Sequence, residues 1–300
     1  MTTNEYLQKV LASQTLVEDS DELKTLQKHR ADVEKLLREH FEKSSPTIRY
    51  GGSKAKGTMI LEAYDLDIIC YFPHDDTGAG ETLEDIYKNV KDALAVKYKV
   101  EPKTSAIRLR SKDKDTLSQD FHIDVVPGRY TDDSKTDCFL HQEGAEKERL
   151  KTNLQVHITY VKESGVVDAL RLLKLWKVRK ALRVKQFAFE LLGIKLLEDK
   201  KSEALSSQVK HVWNEIAEAE EAISIEDPAN PEGNDLMPLL RSIWPDLRSV
   251  VKSTLKTLEE LWWEGVFGSV EKSDKANRVS RLTAAAAAVS RPTKPWAVDE

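Results

Sequence analysis

The sequence predicts an α+β protein: a mixed sheet with flanking helices in the first half, and a helical lobe in the second. Three observations carry this. Residues 51–68 read Gly-Gly-Ser-Lys-Ala-Lys-Gly-Thr-Met-Ile-Leu-Glu-Ala-Tyr-Asp-Leu-Asp-Ile, a glycine-serine turn, a short helix-capable segment and a strand. Residues 120–128 alternate as a second strand, with Asp120, His122 and Asp124 on one face and Phe121, Ile123 and Val125 on the other. From Leu154 onward, apolar residues recur at i, i+3 and i+4, the period of packed helices.

In chain order, Leu23, Leu26, Val33, Leu36 and Leu37 predict an amphipathic helix over 19–41, capped by Ser20 or Asp21. Ser44-Ser45-Pro46 breaks it, and residues 47–50 form a strand feeding the glycine turn. Residues 73–80 are a loop whose acids, Asp75 and Asp76, are solvated. A helix over 83–95 and strands over 98–101 and 105–110 complete the first half, the latter with Arg108 and Arg110 on one face. Helices follow over 154–161, 166–182 and 187–198, with Ser164-Gly165 between the first two. Beyond them come an acidic helix end at 215–225, a helical run over 239–263 and an alanine-rich, helix-prone stretch over 282–290. Trp262 and Trp263 read as packing residues, and the tail from Arg291, with Trp296, as loose or partner-binding. The division expected is a core over 1–150, including an N-terminal spine helix, and a helical lobe over 151–300.

Composition excludes several classes. With 40% hydrophobic and 32% charged residues the chain is globular, and a net charge of -5 argues against indiscriminate nucleic-acid coating. The start, Met-Thr-Thr-Asn-Glu-Tyr, lacks a signal-peptide pattern and no apolar run reaches membrane-spanning length, so a cytoplasmic protein is expected. Cys70 and Cys138 are too few for a disulfide framework or zinc cluster, and Cys70 falls on an apolar strand face as a core residue.

Asp65 and Asp67 stand one residue apart and share a strand face. Their repulsion is relieved by a divalent cation held between them. Gly51 and Gly52 permit a tight turn exposing backbone N–H groups, which suits a phosphate, and the helix after it adds its positive end. Asp124, between Ile123 and Val125, is a costly buried charge unless paired or metal-bound. Asp120 is the alternative acid, and His122 is either a ligand or base or an ordinary packed histidine. In the second half, Lys174 and Lys177 are three apart on one helix face, a solvated stripe or a counter-charge for phosphate.

The Gly-Ser turn followed by Asp-x-Asp resembles the nucleotidyltransferase superfamily of DNA polymerase beta, whose third carboxylate comes from a later strand, here Asp124. The run Arg171-Leu-Leu-Lys-Leu-Trp-Lys177, the Gln-Phe-x-x-Glu step at Gln186 to Glu190 and the loop Glu226-Asp-Pro-Ala-Asn-Pro-Glu-Gly-Asn234 are similar to the cGAS/DncV-like nucleotidyltransferases. These are bacterial relatives of cyclic GMP-AMP synthase and oligoadenylate synthetase.

The resemblance implies a polymerase beta-like core and a helical lobe closing over a nucleotide. Asp65, Asp67 and Asp124 would be the catalytic, metal-binding acids for two Mg²⁺ ions, or Mn²⁺ in their place. Gly52 and Ser53 would hold the donor's β- and γ-phosphates, Lys174 would meet the triphosphate, and Asn153 would contact a base. Gln186 stands where relatives commonly have serine, and its amide would contact a phosphate oxygen. The implied activity is synthesis of a cyclic di- or trinucleotide messenger from nucleoside triphosphates in anti-phage signalling. A monomer, a regulatory protein partner and no nucleic-acid or membrane partner are expected. Alternatives are a template-independent RNA or tRNA nucleotidyltransferase and a nucleotidylating toxin.

Overall fold

The fold, from a computed structural model, is described for residues 1–16, 20–112, 123–145 and 147–270. It opens with α1 (Thr3–Ser13), capped by Thr2 on the Glu5 amide, and α2 (Asp21–His40), capped by Ser20 on the Leu23 amide. Next come β1 (Thr47–Tyr50), α3 (Gly52–Lys56), β2 (Leu66–Phe72), α4 (Leu83–Ala95), β3 (Lys99–Pro102) and β4 (Ile107–Arg110). After β5 (Ile123–Tyr130), β6 (Cys138–His141) and β7 (Arg149–Thr152) the chain is helical: α5 (Leu154–Lys162), α6 (Val167–Arg179), α7 (Gln186–Leu196), α8 (Leu205–Glu218), α9 (Met237–Arg241) and α10 (Trp244–Phe267).

The strands form one mixed sheet in the order β1-β2-β5-β4-β3, with β6 and β7 continuing from β5. β2 and β5 are parallel, and the other pairs are antiparallel. Alternation sends Leu66, Ile68, Cys70 and Phe72 of β2, with Ile123 and Val125 of β5, to one face. There they pack on Leu26, Val33 and Leu37 of α2 and on Ile86, Val90 and Leu94 of α4. Cys70 is a core residue as the sequence expects, and Cys138 is also buried and free.

A second cluster fills the helical half around Trp176, Phe189, Trp213, Trp244 and Trp263. The Trp176 indole donates to Thr254 Oγ1 at 2.9 Å, which satisfies its buried N–H. Tyr6, Leu7, Val10 and Leu11 of α1 join this cluster, which therefore draws on both ends of the described chain, across the boundary expected at residue 150.

The helix expected over 166–182 ends earlier, at Arg179, because Ala181 takes a left-handed φ of 50°. The run expected over 239–263 divides into α9 and α10, with a proline in the first turn of α10. Trp263 is buried, whereas Trp262 sits at a kink with φ 56° and is exposed. Asp120, Phe121 and His122, the 282–290 stretch and Trp296 lie outside the described residues. No helix among the described residues is long and apolar enough to cross a membrane.

Candidate functional site

The acids come from neighbouring strands. The parallel register sets Asp67 of β2 directly beside Asp124 of β5, and the antiparallel register sets Arg108 of β4 on the other side of Asp124. Side chains paired across strands share a face, so Asp67, Asp124 and Arg108 form a row opposite the apolar core. Asp65 precedes the strand, which begins at Leu66, and is exposed. Burial, and then the charges of Asp65 and Asp124, push the Asp67 carboxyl up to about 7, against the opposing pull of Lys56 and Lys174.

Arg108 donates from Nε to Asp124 Oδ1 at 2.8 Å and from Nη2 to Oδ2 at 2.7 Å, a two-pronged ion pair. Arg108 is thus engaged inside the site. Arg110 instead reaches Glu101 at 3.4 Å. Among the described residues no three His, Cys, Asp or Glu side chains converge closely enough as they stand to hold a metal ion. The hard oxygen donors of Asp65, Asp67 and Asp124 nevertheless suit a divalent cation chemically, and the raised Asp67 carboxyl marks a place where positive charge is wanted. Asp124 would have to share its carboxylate between such an ion and Arg108.

The glycine turn is pinned onto these acids. The Gly51 amide donates to the Asp67 carbonyl at 2.9 Å, and Gly52 has φ 50°, where a Cβ would collide with the Asp67 carboxylate. Glycine is therefore required at 52 by backbone conformation and by space. α3 spans only Gly52 to Lys56, so its dipole is slight. Positive charge at the site comes instead from side chains.

A cavity of about 540 Å³ opens between the sheet and the helical half. Gly52, Ser53 and Lys56 of α3 line one wall with Asp65 and Asp67, and Lys174, Lys177, Arg183, Lys185, Gln186 and Phe187 line the other. Lys174 is buried and donates to the Thr58 carbonyl at 3.4 Å. Burial lowers its pKa, with Glu190 and Asp65 opposing. Lys177 donates to Gln186 Oε1 at 3.0 Å, and burial followed by the charge of Lys174 brings its pKa down to about 8.

Glu190, 1% exposed, is the hub of this wall. It accepts from Lys56 Nζ, from Thr58 Oγ1 at 2.7 Å and from Gln186 Nε2 at 3.3 Å. Burial pushes its carboxyl up, but Lys56 and the hydrogen bonds from Lys56 and Thr58 hold it below the usual glutamate range. Sequence reasoning assigned no role to Lys56, Thr58, Phe187 or Glu190, although Gly57-Thr58 and the Gln-Phe-x-x-Glu step were the available signals.

The structure thus brings Gly52, Ser53, Asp65, Asp67, Lys174 and Gln186 to one cavity, with Asp124 beside Asp67. Asn153 is not brought there. It caps α5, accepting from the Val156 amide at 3.1 Å and donating to Asp137 Oδ1 at 2.9 Å. It lines a separate cavity of about 590 Å³ with Val156, Tyr160 and Ile194. In this structure the Asn153 side chain is a helix cap, outside the cavity that holds the acids.

A mixed sheet bearing a row of acids under a glycine turn, with a basic helical wall opposite, is a polymerase beta-like nucleotidyltransferase fold. Solved structures narrow this to the fold of the CD-NTases. E. coli MS115-1 CdnC with ATP is 18% identical, with a TM-score of 0.66, over 91% of this chain and 99% of that one. The E. coli MS115-1 CdnC:HORMA-deltaN complex matches at 17% identity and TM-score 0.64, over 90% of this chain and 98% of that one. The Bradyrhizobium diazoefficiens CD-NTase CdnG in complex with GTP matches at 13% and 0.63, over 94% of this chain and 98% of that one. No family model matches the chain, and no curated protein matches it by sequence.

Proposed function

We propose that this protein is a cyclic oligonucleotide synthase of the cGAS/DncV-like family, making a cyclic di- or trinucleotide from ribonucleoside triphosphates in bacterial anti-phage signalling. The observation that carries the reading is the cavity that joins Gly52, Ser53 and Asp67 on one wall to Lys174 and Lys177 on the other. One wall suits a cation and the other an anion, which together suit a triphosphate. The ATP in CdnC and the GTP in CdnG support nucleoside triphosphates as substrates. The CdnC:HORMA-deltaN complex supports a regulatory protein partner.

In this reading Gly52 and Ser53 hold the donor's β- and γ-phosphates, Lys174 and Lys177 supply counter-charge, Gln186 meets a phosphate oxygen, and Phe187 offers its ring to a base. The acceptor's 2′- or 3′-hydroxyl oxygen bonds to the donor's α-phosphorus. The bond from that phosphorus to the bridging oxygen breaks, pyrophosphate leaves with the electron pair, and the hydroxyl proton passes to a carboxylate of the acid row or to solvent. Asp65, Asp67 and Asp124 would hold two Mg²⁺ ions, or Mn²⁺ in their place, which when bound lower the hydroxyl pKa and stabilise the in-line transfer. A second transfer closes the ring. The protein acts in the cytoplasm, as a monomer between its substrates.

Incubation with labelled ATP, GTP, CTP and UTP, singly and together, followed by phosphatase and mass spectrometry, tests the proposal. A phosphatase-resistant product with the mass of a closed ring is expected. Label on a protein or RNA, or no pyrophosphate release, overturns it.

A further inference from the structure

Behind the aromatic wall of the cavity a series of side-chain contacts leads away to the loop at residues 226–234. We propose that His157 and Asp227 are positioning residues that set the pose of Phe187 toward a nucleobase. The inference rests on reading the cavity as a nucleotide site.

Phe187 lies in the first turn of α7, lines the cavity and is only half-buried, so its ring needs backing to keep one orientation. His157 of α5 supplies it. The two ring centroids are 4.7 Å apart with planes inclined by 54°, and His157 is not among the residues lining the cavity. On the phosphate side, Lys56 Nζ lies 5.8 Å from the same ring. Phe187 is therefore held between a lysine tied to Glu190 and an imidazole.

The imidazole is fixed in turn. His157 Nε2 donates to Asp227 Oδ1 at 2.6 Å, and Asp227 is 1% exposed. The same oxygen accepts from the Ala229 amide at 2.9 Å, and Oδ2 accepts from Asn234 Nδ2 at 2.7 Å. An ionised carboxylate only accepts, so the histidine nitrogen facing it must carry a proton, which settles the ring's orientation. The loop is braced as well: Asn230 Nδ2 donates to the Lys151 carbonyl at 3.0 Å and Lys147 Nζ to the Gly233 carbonyl at 3.2 Å. Lys151 belongs to β7, immediately before α5, so Asp227 and His157 are mounted on one frame. A clamp serving stability alone has no need to end on a cavity residue.

The test separates base from phosphate. ATP and inorganic tripolyphosphate binding, and the KM and kcat of pyrophosphate release, are measured for wild type, H157A, H157F, D227N and the H157F/D227N double variant. H157A is expected to raise the KM for ATP about three- to tenfold, with tripolyphosphate affinity and kcat within about twofold, because an aromatic contact carries about that free energy. H157F, which keeps a ring but loses the hydrogen bond to Asp227, recovers part of the loss and falls to the level of D227N. D227N raises KM in the wild-type background and adds nothing to H157F, since the histidine through which it acts is gone. Unchanged ATP KM in H157A overturns the relay and leaves the proposed activity standing. Equal losses of ATP and tripolyphosphate affinity overturn it too, marking a purely structural clamp. A wild-type protein that binds no nucleotide removes the ground of both readings.

Discussion

The two walls of the cavity manage charge in opposite ways. On the sheet side, Asp67 stands between Asp65 and Asp124, and its carboxyl is pushed up to about 7 by burial and by those two charges. On the helical side Lys174 is also buried, with Lys56 reaching across from α3, yet Glu190 sits between them as an internal counter-ion. The acid wall thus keeps a repulsion at Asp67 that a ligand cation would relieve, whereas the basic wall is partly neutralised in advance by Glu190. In the proposed reading, binding energy on the first side would come from relieving that repulsion, and on the second from partial exchange of one anion for another.

Replacing Asp67 makes the sharpest break. D67N is expected to lower the rate of pyrophosphate release at least about 10³-fold, as loss of several kcal/mol of charge stabilisation implies. It should also stabilise the metal-free protein. The native carboxyl titrates near 7 and its ordinary value is 3.8, so between these pH values the folded state holds the extra proton. Metal-free stability therefore falls as pH rises through that window, and asparagine escapes the fall. At pH 8 the variant should melt about 2–8 °C above wild type, a range discounted for partial exposure, and the gap should close towards pH 4. Equal melting temperatures at pH 8 would show that the acids do not strain one another.

The opposite sign is expected on the other wall. E190Q removes the counter-ion and leaves Lys56 and Lys174 buried together, so it should destabilise by about 3 kcal/mol. The denaturant midpoint measures this directly. An unchanged midpoint would mean that water already solvates these lysines.

The same asymmetry explains what could be read from the sequence. Asp67 and Asp124 are legible because a charged residue interrupting an apolar strand is conspicuous, and Leu66, Ile68, Ile123 and Val125 define the period. Their pairing across a parallel register is a tertiary fact with no local trace. Lys56 lies in Lys-Ala-Lys-Gly and reads as a solvated residue; only the docking of α7, more than a hundred residues later, buries it against Glu190. α1 carries a capping box at Thr2 and Glu5, but the surface that buries Tyr6, Leu7, Val10 and Leu11 lies on helices of the second half. β6 and β7, four residues each, give too short an alternation to stand out.

Lys177 sharpens the comparison at higher pH. With a pKa near 8 it is charged below that value and loses its proton above it. ATP affinity should fall about three- to tenfold between pH 7 and pH 9, the loss of one counter-charge, while K177R, which stays protonated, should hold its affinity. Calorimetric titration at the two pH values measures it, and a parallel fall in K177R would move the titration to another group.

The smallest effect is expected away from both walls. Asn153 caps α5 through the Val156 amide and is tied to Asp137, so N153A should cost about 1 kcal/mol of stability, as loss of an N-cap does. Because its side chain lines the other cavity, the KM for each nucleoside triphosphate should stay within about twofold of wild type, where loss of a base hydrogen bond would cost about tenfold. A selective rise in KM for one base would restore the nucleotide contact expected from sequence, and would require α5 to turn that side chain from the helix end into the acid-lined cavity.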